Sequence, residues 1–383
     1  MDFAITEEQS DLVQVARTFA AERIAPYYQQ RENEGKFDRA TLVEMGSLGF
    51  FGVELPEEVG GLGLDCLTAG LVLEALSGDD YNLGYIPVTV SLAAQIMHNY
   101  GRAEVVQPWI RGMLAGEVIP CVALTEPSGG SDAANLTLNA RKDGNEYVLT
   151  GEKTSISMAT QADVAVVFGR TGTPDSRSRG VSAFLVPLDD PTVTRSAFND
   201  HGGRAAGRGT IHFDGTRVPE SHLLGEENRG FSQVMSGFDY SRALIGLQSL
   251  AVARKSLDET WAYVSTRRSF GQALVEHQGV AFPLAEAETH YEAARLLCLQ
   301  TLWLKDQGAP HTSQAAMCKW WAPKLAYDIV MKCLLSHGHG GYSNELPFEQ
   351  RLRDLLGLQI GDGTAQIMKT VITKRRLMAL AKE

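Results

Sequence analysis

The hydrophobic rhythm of this chain changes twice, and that change limits its fold more than any single motif. Up to about residue 115, and again from Gly230 onward, apolar residues recur at helical spacing. Between these blocks, Tyr147-Val148-Leu149-Thr150, Val164-Ala165-Val166-Val167-Phe168, Val181 to Val186 and Thr210 to Phe213 are short β-rich runs separated by Gly, Asp and Pro turns. Strands at this spacing, with no helical stretch between them, predict an antiparallel, barrel-like β domain. No G-x-G-x-x-G opens a βαβ unit, which argues against a Rossmann nucleotide site. The expected architecture is therefore α+β and multi-domain. An all-α domain is expected over 1–115, the β domain over 116–225 and an α-helical bundle over 226–383.

The helical blocks carry local signals of their own. Thr6 followed by Gln9 fits a capping box, and Leu12, Val15 and Phe19 recur on one face until Pro26. Arg39 to Leu48 and Leu67 to Leu76 read as further helices. Between them, Pro56 to Gly63 is a glycine-rich loop without the Lys-Ser/Thr ending of a P-loop, and it reads as a turn. After the β domain, Phe231 to Tyr263, Gln278 to Leu304, Ser313 to Leu335 and Ala365 to Ala381 are long enough for a bundle of four or more helices. There is no internal repeat and no low-complexity linker.

Charge and cysteine usage remove several function classes. A formal charge of −11 argues against general nucleic-acid affinity, so an anionic ligand needs local basic residues. No apolar run approaches a membrane span, and the acidic N-terminal pattern predicts no secretory signal. Cys66, Cys121, Cys298, Cys318 and Cys333 are scattered and contain no C-x-x-C pair. That predicts reduced thiols in a cytoplasmic protein and gives no zinc motif.

Two stretches stand apart. In Leu358-Gln359-Ile360-Gly361-Asp362-Gly363-Thr364, an acid lies between two glycines after an apolar run and before a helical pattern. The flanking glycines free the backbone to turn sharply and present the acid to a pocket. The plainer reading makes Asp362 the N-cap of the following helix. In Val122 to Asp132, a strand runs into Thr125, Pro127, Gly129, Gly130 and Ser131, whose hydroxyls and N–H groups suit the rim of a heterocycle or a phosphate. Here too an ordinary turn is the plainer reading.

Taken together with three further segments, these stretches resemble the acyl-CoA dehydrogenase family over essentially the whole chain. Thr125-Glu126-Pro127-Ser128-Gly129-Gly130-Ser131-Asp132 is similar to the run that cups the flavin of FAD, and Gly151 to Ser157 to the second flavin segment. Arg267 to Gly271 with Glu276-His277-Gln278, and then Gly338 to Tyr342 with Arg353-Asp354, match the segments that reach a neighbouring subunit's FAD and the turn that follows. Asp362 falls where the family carries its catalytic acid. The resemblance implies that a carboxylate removes an α-proton from an acyl-CoA thioester while flavin N5 accepts the β-hydride. It implies FAD contacts from Val122, Leu124, Thr125, Gly130 and Ser131, and from Ser155, Ile156 and Ser157. Arg267, Ser269, Phe270, Gln278 and Gly338 are implied as contacts across a subunit boundary, and Thr364 and Gln366 as completing the site. Ser131, Phe238, Asp239, Arg242, Gly361 and Gly363 are implied to meet substrate. A homotetramer built as a dimer of dimers, and an electron-transfer flavoprotein as acceptor, are implied as partners.

Departures from the family pattern narrow the expectation. The acid is Asp rather than Glu, and the aromatics expected before it and in the second flavin segment are Gly361 and Ser155. A shorter base with smaller neighbours predicts extra width at the acyl end, similar to the cyclohexane-carboxyl-CoA type of dehydrogenase. Ser241 stands where the isovaleryl-CoA type carries its base, which leaves Asp362 as the candidate. Leu335 and His339 replace a usual Gln and Gly. His337-Gly338-His339 lacks an evident third ligand, so no metal is expected. Two alternatives remain: a nitroalkane-oxidase-like flavin enzyme, which also uses Asp, and a non-catalytic FAD- or acyl-CoA-binding protein.

Overall fold

The computed structural model describes residues 4–381. Helices α1 (Glu7–Phe19), α2 (Tyr28–Glu34), α3 (Arg39–Ser47), α4 (Cys66–Ser77), α5 (Tyr81–Tyr100) and α6 (Ala103–Leu114) form the first block. At the start of α1, the Gln9 N–H donates to Thr6 Oγ1 at 3.2 Å and the Thr6 N–H donates to Gln9 Oε1 at 3.1 Å, the expected reciprocal cap. The inward stripe is displaced from the expected one. Val13, Ala16 and Phe19 are buried, whereas Val15 is 45 % exposed. The stripe steps through Ala16, a small residue that a pattern of large apolar side chains passes over. Pro26 does not stop the chain abruptly. A π turn (Ala20–Ile24) and a 3-10 turn (Ala25–Tyr27) lead into α2, with Pro26 early in the 3-10 turn, where no N–H is needed.

Strands β1 (Pro120–Ala123), β2 (Asn139–Asp143), β3 (Glu146–Ile156), β4 (Val164–Arg170), β5 (Val181–Pro187), β6 (Val193–Ala197), β7 (Gly209–Pro219) and β8 (Leu223–Leu224) make one eight-stranded sheet. Its order is 6-7-3-2-4-5-8, with β1 joined to β4. Most pairings are antiparallel, as the strand spacing predicts. The exceptions meet at β4: β1 runs parallel to it, Pro120 opposite Val164 through Ala123 opposite Val167, and β2 touches it in parallel at Asn139 and Arg170. The β2–β3 hairpin intervenes between β1 and β4 in sequence, so both can enter the sheet in the same direction. With strands on both sides, β4 is buried along its whole length. The β3–β7 pairing is broken by bulges at Leu149/Thr150 and between Lys153 and Ile156.

The last block holds α7 (Gly230–Thr266), the hairpin β9 (Arg268–Ser269) and β10 (Gln272–Ala273), then α8 (Gln278–Asp306), α9 (Thr312–Ser336), α10 (His339–Tyr342), α11 (Phe348–Ile360) and α12 (Ala365–Leu380). The architecture is the expected one: a helical domain, a β-sheet domain and a helical bundle. One apolar core joins the N-terminal helices to the sheet through Phe19, Phe50, Val90, Phe168 and Phe213. A second fills the bundle with Leu250, Leu257, Leu284, Leu302 and Ile329, and it takes in Leu73 and Val88 from α4 and α5. Gly70 of α4 makes that junction possible, since a Cβ there would lie 2.3 Å from Leu302 Cδ1.

A polar knot ties the three blocks together. Buried Asp354 of α11 accepts from Tyr28 Oη at 2.6 Å, from Asn82 Nδ2 at 3.1 Å and from the Gly203 N–H at 2.6 Å. Beside it, Arg353 pairs with Glu32 at 2.5 Å and Arg31 with Asp80 at 2.8 Å. Among the described residues, no helix is long and apolar enough to cross a membrane.

Candidate active site

Helix α11 ends at Ile360, and the Gly361 N–H still donates to Gly357 O at 2.9 Å. Asp362 then takes φ 54°, a left-handed conformation uncommon for a residue with a Cβ, and Gly363 follows at φ 104°. The φ of Gly363 calls for glycine, and a Cβ there would also lie 2.5 Å from Met368 Cε, the flexible tip of that side chain. The N-cap of α12 is Thr364, whose Oγ1 accepts from the Ile367 N–H at 3.4 Å. Asp362 is thus not the helix cap, the plainer of its two expected roles. Among the described residues its half-buried carboxyl forms no hydrogen bond or ion pair. Burial pushes its pKa up, and the charges of Lys319 and Arg242 oppose the rise.

Lys319 of α9 is 0 % exposed. Its Nζ donates to Leu358 O at 2.5 Å and to Gly363 O at 3.2 Å, carbonyls on either side of Asp362 in the chain. Burial pulls its pKa down to about 8, against the pull of the Asp362 carboxylate. Arg242 of α7 is also buried. It pairs with Asp239 at 3.0 Å, and Asp239 in turn accepts from Thr312 Oγ1 at 2.6 Å. The pair is therefore not a solvated helix surface, and the guanidinium lies 5.6 Å from the centre of the Phe238 ring. Tyr85 of α5 lies close enough to Asp362, Ser157 and Thr89 to feel their electrostatics. Burial and then the Asp362 carboxylate push its phenol pKa up. Tyr85 thus lies near both Asp362 and Ser157.

The two segments expected to meet flavin are fixed from below. Lys153, buried in β3, donates to Glu126 Oε1 at 2.7 Å and to Leu124 O at 3.0 Å. Glu126 also accepts from the Thr137 N–H at 2.6 Å and the Leu138 N–H at 2.8 Å, and the Thr154 N–H donates to Thr125 O at 2.9 Å. The turn that follows is left open. Gly130 and Ser131 are exposed, and a Cβ on Gly129 would meet nothing within 4 Å. Ser155 sits in the β3 bulge at φ 57°, exposed, with Ser157 half-buried just beyond it. Val122 is half-buried, whereas the side chains of Leu124 and Ile156 belong to the core. Threonine and serine hydroxyls around an open turn fit the polar rim of a flavin.

The remaining expected contacts lie elsewhere. From Arg242 to Arg267, the end of α7, the helical rise of about 1.5 Å per residue amounts to about 37 Å. Arg267 and Gln278 are exposed there, Ser269 is half-buried, and Phe270 is 96 % exposed at φ 49°. Gly338 belongs to the same end, because neighbouring His337 stacks on Tyr263 at 4.3 Å. His337 Nδ1 is also bonded to Cys333 O at 2.9 Å, which gives that ring a structural role. One chain therefore carries two separate groups of expected cofactor residues. Thr364 and exposed Gln366 belong to the first, at the start of α12 beside Asp362.

Sequence reasoning missed Lys319, Lys153 and Tyr85. For Lys319 a signal existed, because the lysine interrupts the apolar run Ala315-Ala316-Met317-Cys318 and Trp320-Trp321. Lys153 and Tyr85 carried none.

Comparison with known proteins agrees with this arrangement. Residues 6–117 match the acyl-CoA dehydrogenase N-terminal domain, 121–216 the middle domain and 228–377 the C-terminal domain. The chain is 33% identical over 379 residues to the probable acyl-CoA dehydrogenase YngJ of Bacillus subtilis, covering 98% of this chain and 100% of that one. It is 35% identical over 370 residues to the mitochondrial short-chain specific acyl-CoA dehydrogenase of Mus musculus, covering 96% and 90%. The solved butyryl-CoA dehydrogenase of Megasphaera elsdenii superposes with a TM-score of 0.95 at 30% identity, over 98% of this chain and 100% of the other. With an acid presented on a left-handed turn, an open hydroxyl-lined loop in the sheet domain, and all three domains matched, this chain belongs to the acyl-CoA dehydrogenase family, whose cofactor is FAD.

Proposed function

We propose that the protein desaturates an α-branched or alicyclic acyl-CoA between Cα and Cβ, with cyclohexane-1-carboxyl-CoA giving cyclohex-1-ene-1-carboxyl-CoA as the leading case. Asp362 is the base. The observation that carries this reading is its carboxyl, held on a left-handed turn without a hydrogen-bond or ion-pair partner and with a pKa raised by burial. Such a group is available to take a proton from carbon. Bound FAD supplies the acceptor for the β-hydride. Thr125, Ser131, Ser157 and Thr364 hold its polar edges, and Phe238 with the Arg242–Asp239 pair borders the acyl end. Gly361 and Ser155, small where bulk is usual, leave width for a ring. The exposed Arg267, Phe270, Gln278 and Gly338 complete the cofactor site of another subunit within a homotetramer, and an electron-transfer flavoprotein takes the electrons onward.

Anaerobic titration of the flavin-loaded protein tests the reading. Cyclohexane-1-carboxyl-CoA is expected to bleach the flavin absorbance, and Asp362→Asn to slow bleaching by about 10²–10⁴-fold. Faster bleaching by butyryl- or octanoyl-CoA would replace the alicyclic substrate with a straight-chain one. Turnover of nitroethane with peroxide release, in the absence of any response to acyl-CoA, would reject the thioester altogether.

A further inference from the structure

Two cations approach the base, and they are held in different ways. Arg242 has a counter-ion in Asp239. Lys319 has none among the described residues, although it is completely buried. Its bonds go to two carbonyl oxygens, Leu358 O ahead of Asp362 and Gly363 O behind it. An unpaired buried ammonium is costly, and its packing could be matched by methionine in this apolar stretch of α9. The bonds it does make converge on the one loop that carries the base. Asp362 itself adopts a conformation that resists being held, with left-handed φ at 362 and 363 in succession.

We infer that Lys319 is a positioning residue for proton abstraction, an ammonium strut that closes the Asp362 loop and keeps the carboxyl ionised as substrate dries the pocket. The inference rests on Asp362 being the base. Two carbonyls tied to one Nζ fix the chord across residues 358–363, so the left-handed turn cannot relax into an extension of α11. The charge acts through space rather than through an ion pair, which leaves both carboxylate oxygens without a hydrogen-bond or ion-pair partner among the described residues. The other groups facing the carboxyl are Arg242 on α7 and the phenols of Tyr81 and Tyr85 on α5, which stay neutral at neutral pH. Asp362 and Arg242 are the charges that act on Lys319. Removal of the Lys319 charge therefore raises the pKa of the base, and removal of its bonds loosens the loop.

Two substitutions separate these effects. Lys319→Gln keeps a donor without the charge, and Lys319→Met removes both. Flavin content and cyclohexane-1-carboxyl-CoA bleaching rates are followed against pH for both variants and the wild type. In both variants the acid limb of the rate profile is expected to move up by about one pH unit or more. Lys319→Met is expected to lose a further 10–100-fold or so in maximal rate through misplacement of the base. An acid limb in Lys319→Gln that coincides with the wild type's overturns the inference, as does a loss confined to substrate affinity. Failure of the wild type to respond to any acyl-CoA overturns the proposed reaction instead. If neither variant holds flavin, infrared titration of the wild type, with Asp362→Asn to assign the band, decides the matter. The Asp362 carboxylate band is expected to shift again when Lys319 loses its proton at about 8, and a single unperturbed titration overturns the strut.

Discussion

A base that removes a proton from carbon must be poorly solvated, ionised and free of competing partners. At Asp362, the base of the proposed reaction, burial raises the pKa, Lys319 and Arg242 restrain it, and Thr364 relieves the acid of capping α12. The flanking glycines are not equivalent. Gly363 has φ 104°, which strains any residue with a Cβ, whereas Gly361 has φ −59° and ordinary contacts. Gly363→Ala is expected to destabilise the protein by about 1–3 kcal/mol and to slow bleaching, while Gly361→Ala leaves the melting temperature nearly unchanged. Thermal denaturation of the two variants checks the contrast. Asp362 was legible in the sequence because a turn-forming residue on each side marks a special backbone. Lys319 was harder to read, because periodicity reports which face of a helix is apolar and not which carbonyls lie within reach of a side chain.

At the scale of elements, the open turn after Glu126 depends on the salt bridge that Glu126 makes with Lys153. Lys153 and Glu126 are nearly inaccessible and connect β3 to the end of β1. Burial pulls the Lys153 pKa down to about 8, and Glu126 restrains the fall. Lys153→Met leaves a carboxylate buried without its counter-ion, so a loss of about 3–5 kcal/mol is expected, together with lower flavin retention. The double variant Lys153→Met/Glu126→Gln is expected to lose less than the sum of the single changes, as read by urea denaturation. The strands were legible from Val-rich runs between turns. The parallel docking of β1 was not, since direction depends on where the β2–β3 hairpin leaves the chain. The phase of α1 was misread for a related reason, because burial follows Ala16 rather than the larger Val15.

Across the whole molecule, Asp354 makes domain packing sensitive to pH. Burial first, and the nearby Glu32 next, raise its pKa to about 7. An acid whose folded value exceeds its unfolded value of about 3.9 contributes stability that is complete below the unfolded value and lost as pH rises through the folded one. Asp354→Asn lacks this step, and its offset from the altered hydrogen bonds is the same at every pH. The melting temperature of the wild type is therefore expected to fall relative to that of Asp354→Asn by several degrees between about pH 5 and about pH 8. The long helix α7 has a consequence of another kind. It carries Arg242 about a third of the way along and runs out to Arg267 at its end, so under the proposed assembly each protomer serves one cofactor with its base and a different one with its far tip. Defects at the two ends should then complement. Asp362→Asn and Arg267→Glu chains, each inactive when purified alone, should regain turnover when unfolded together and reassembled, because every mixed pair contains one undamaged pocket.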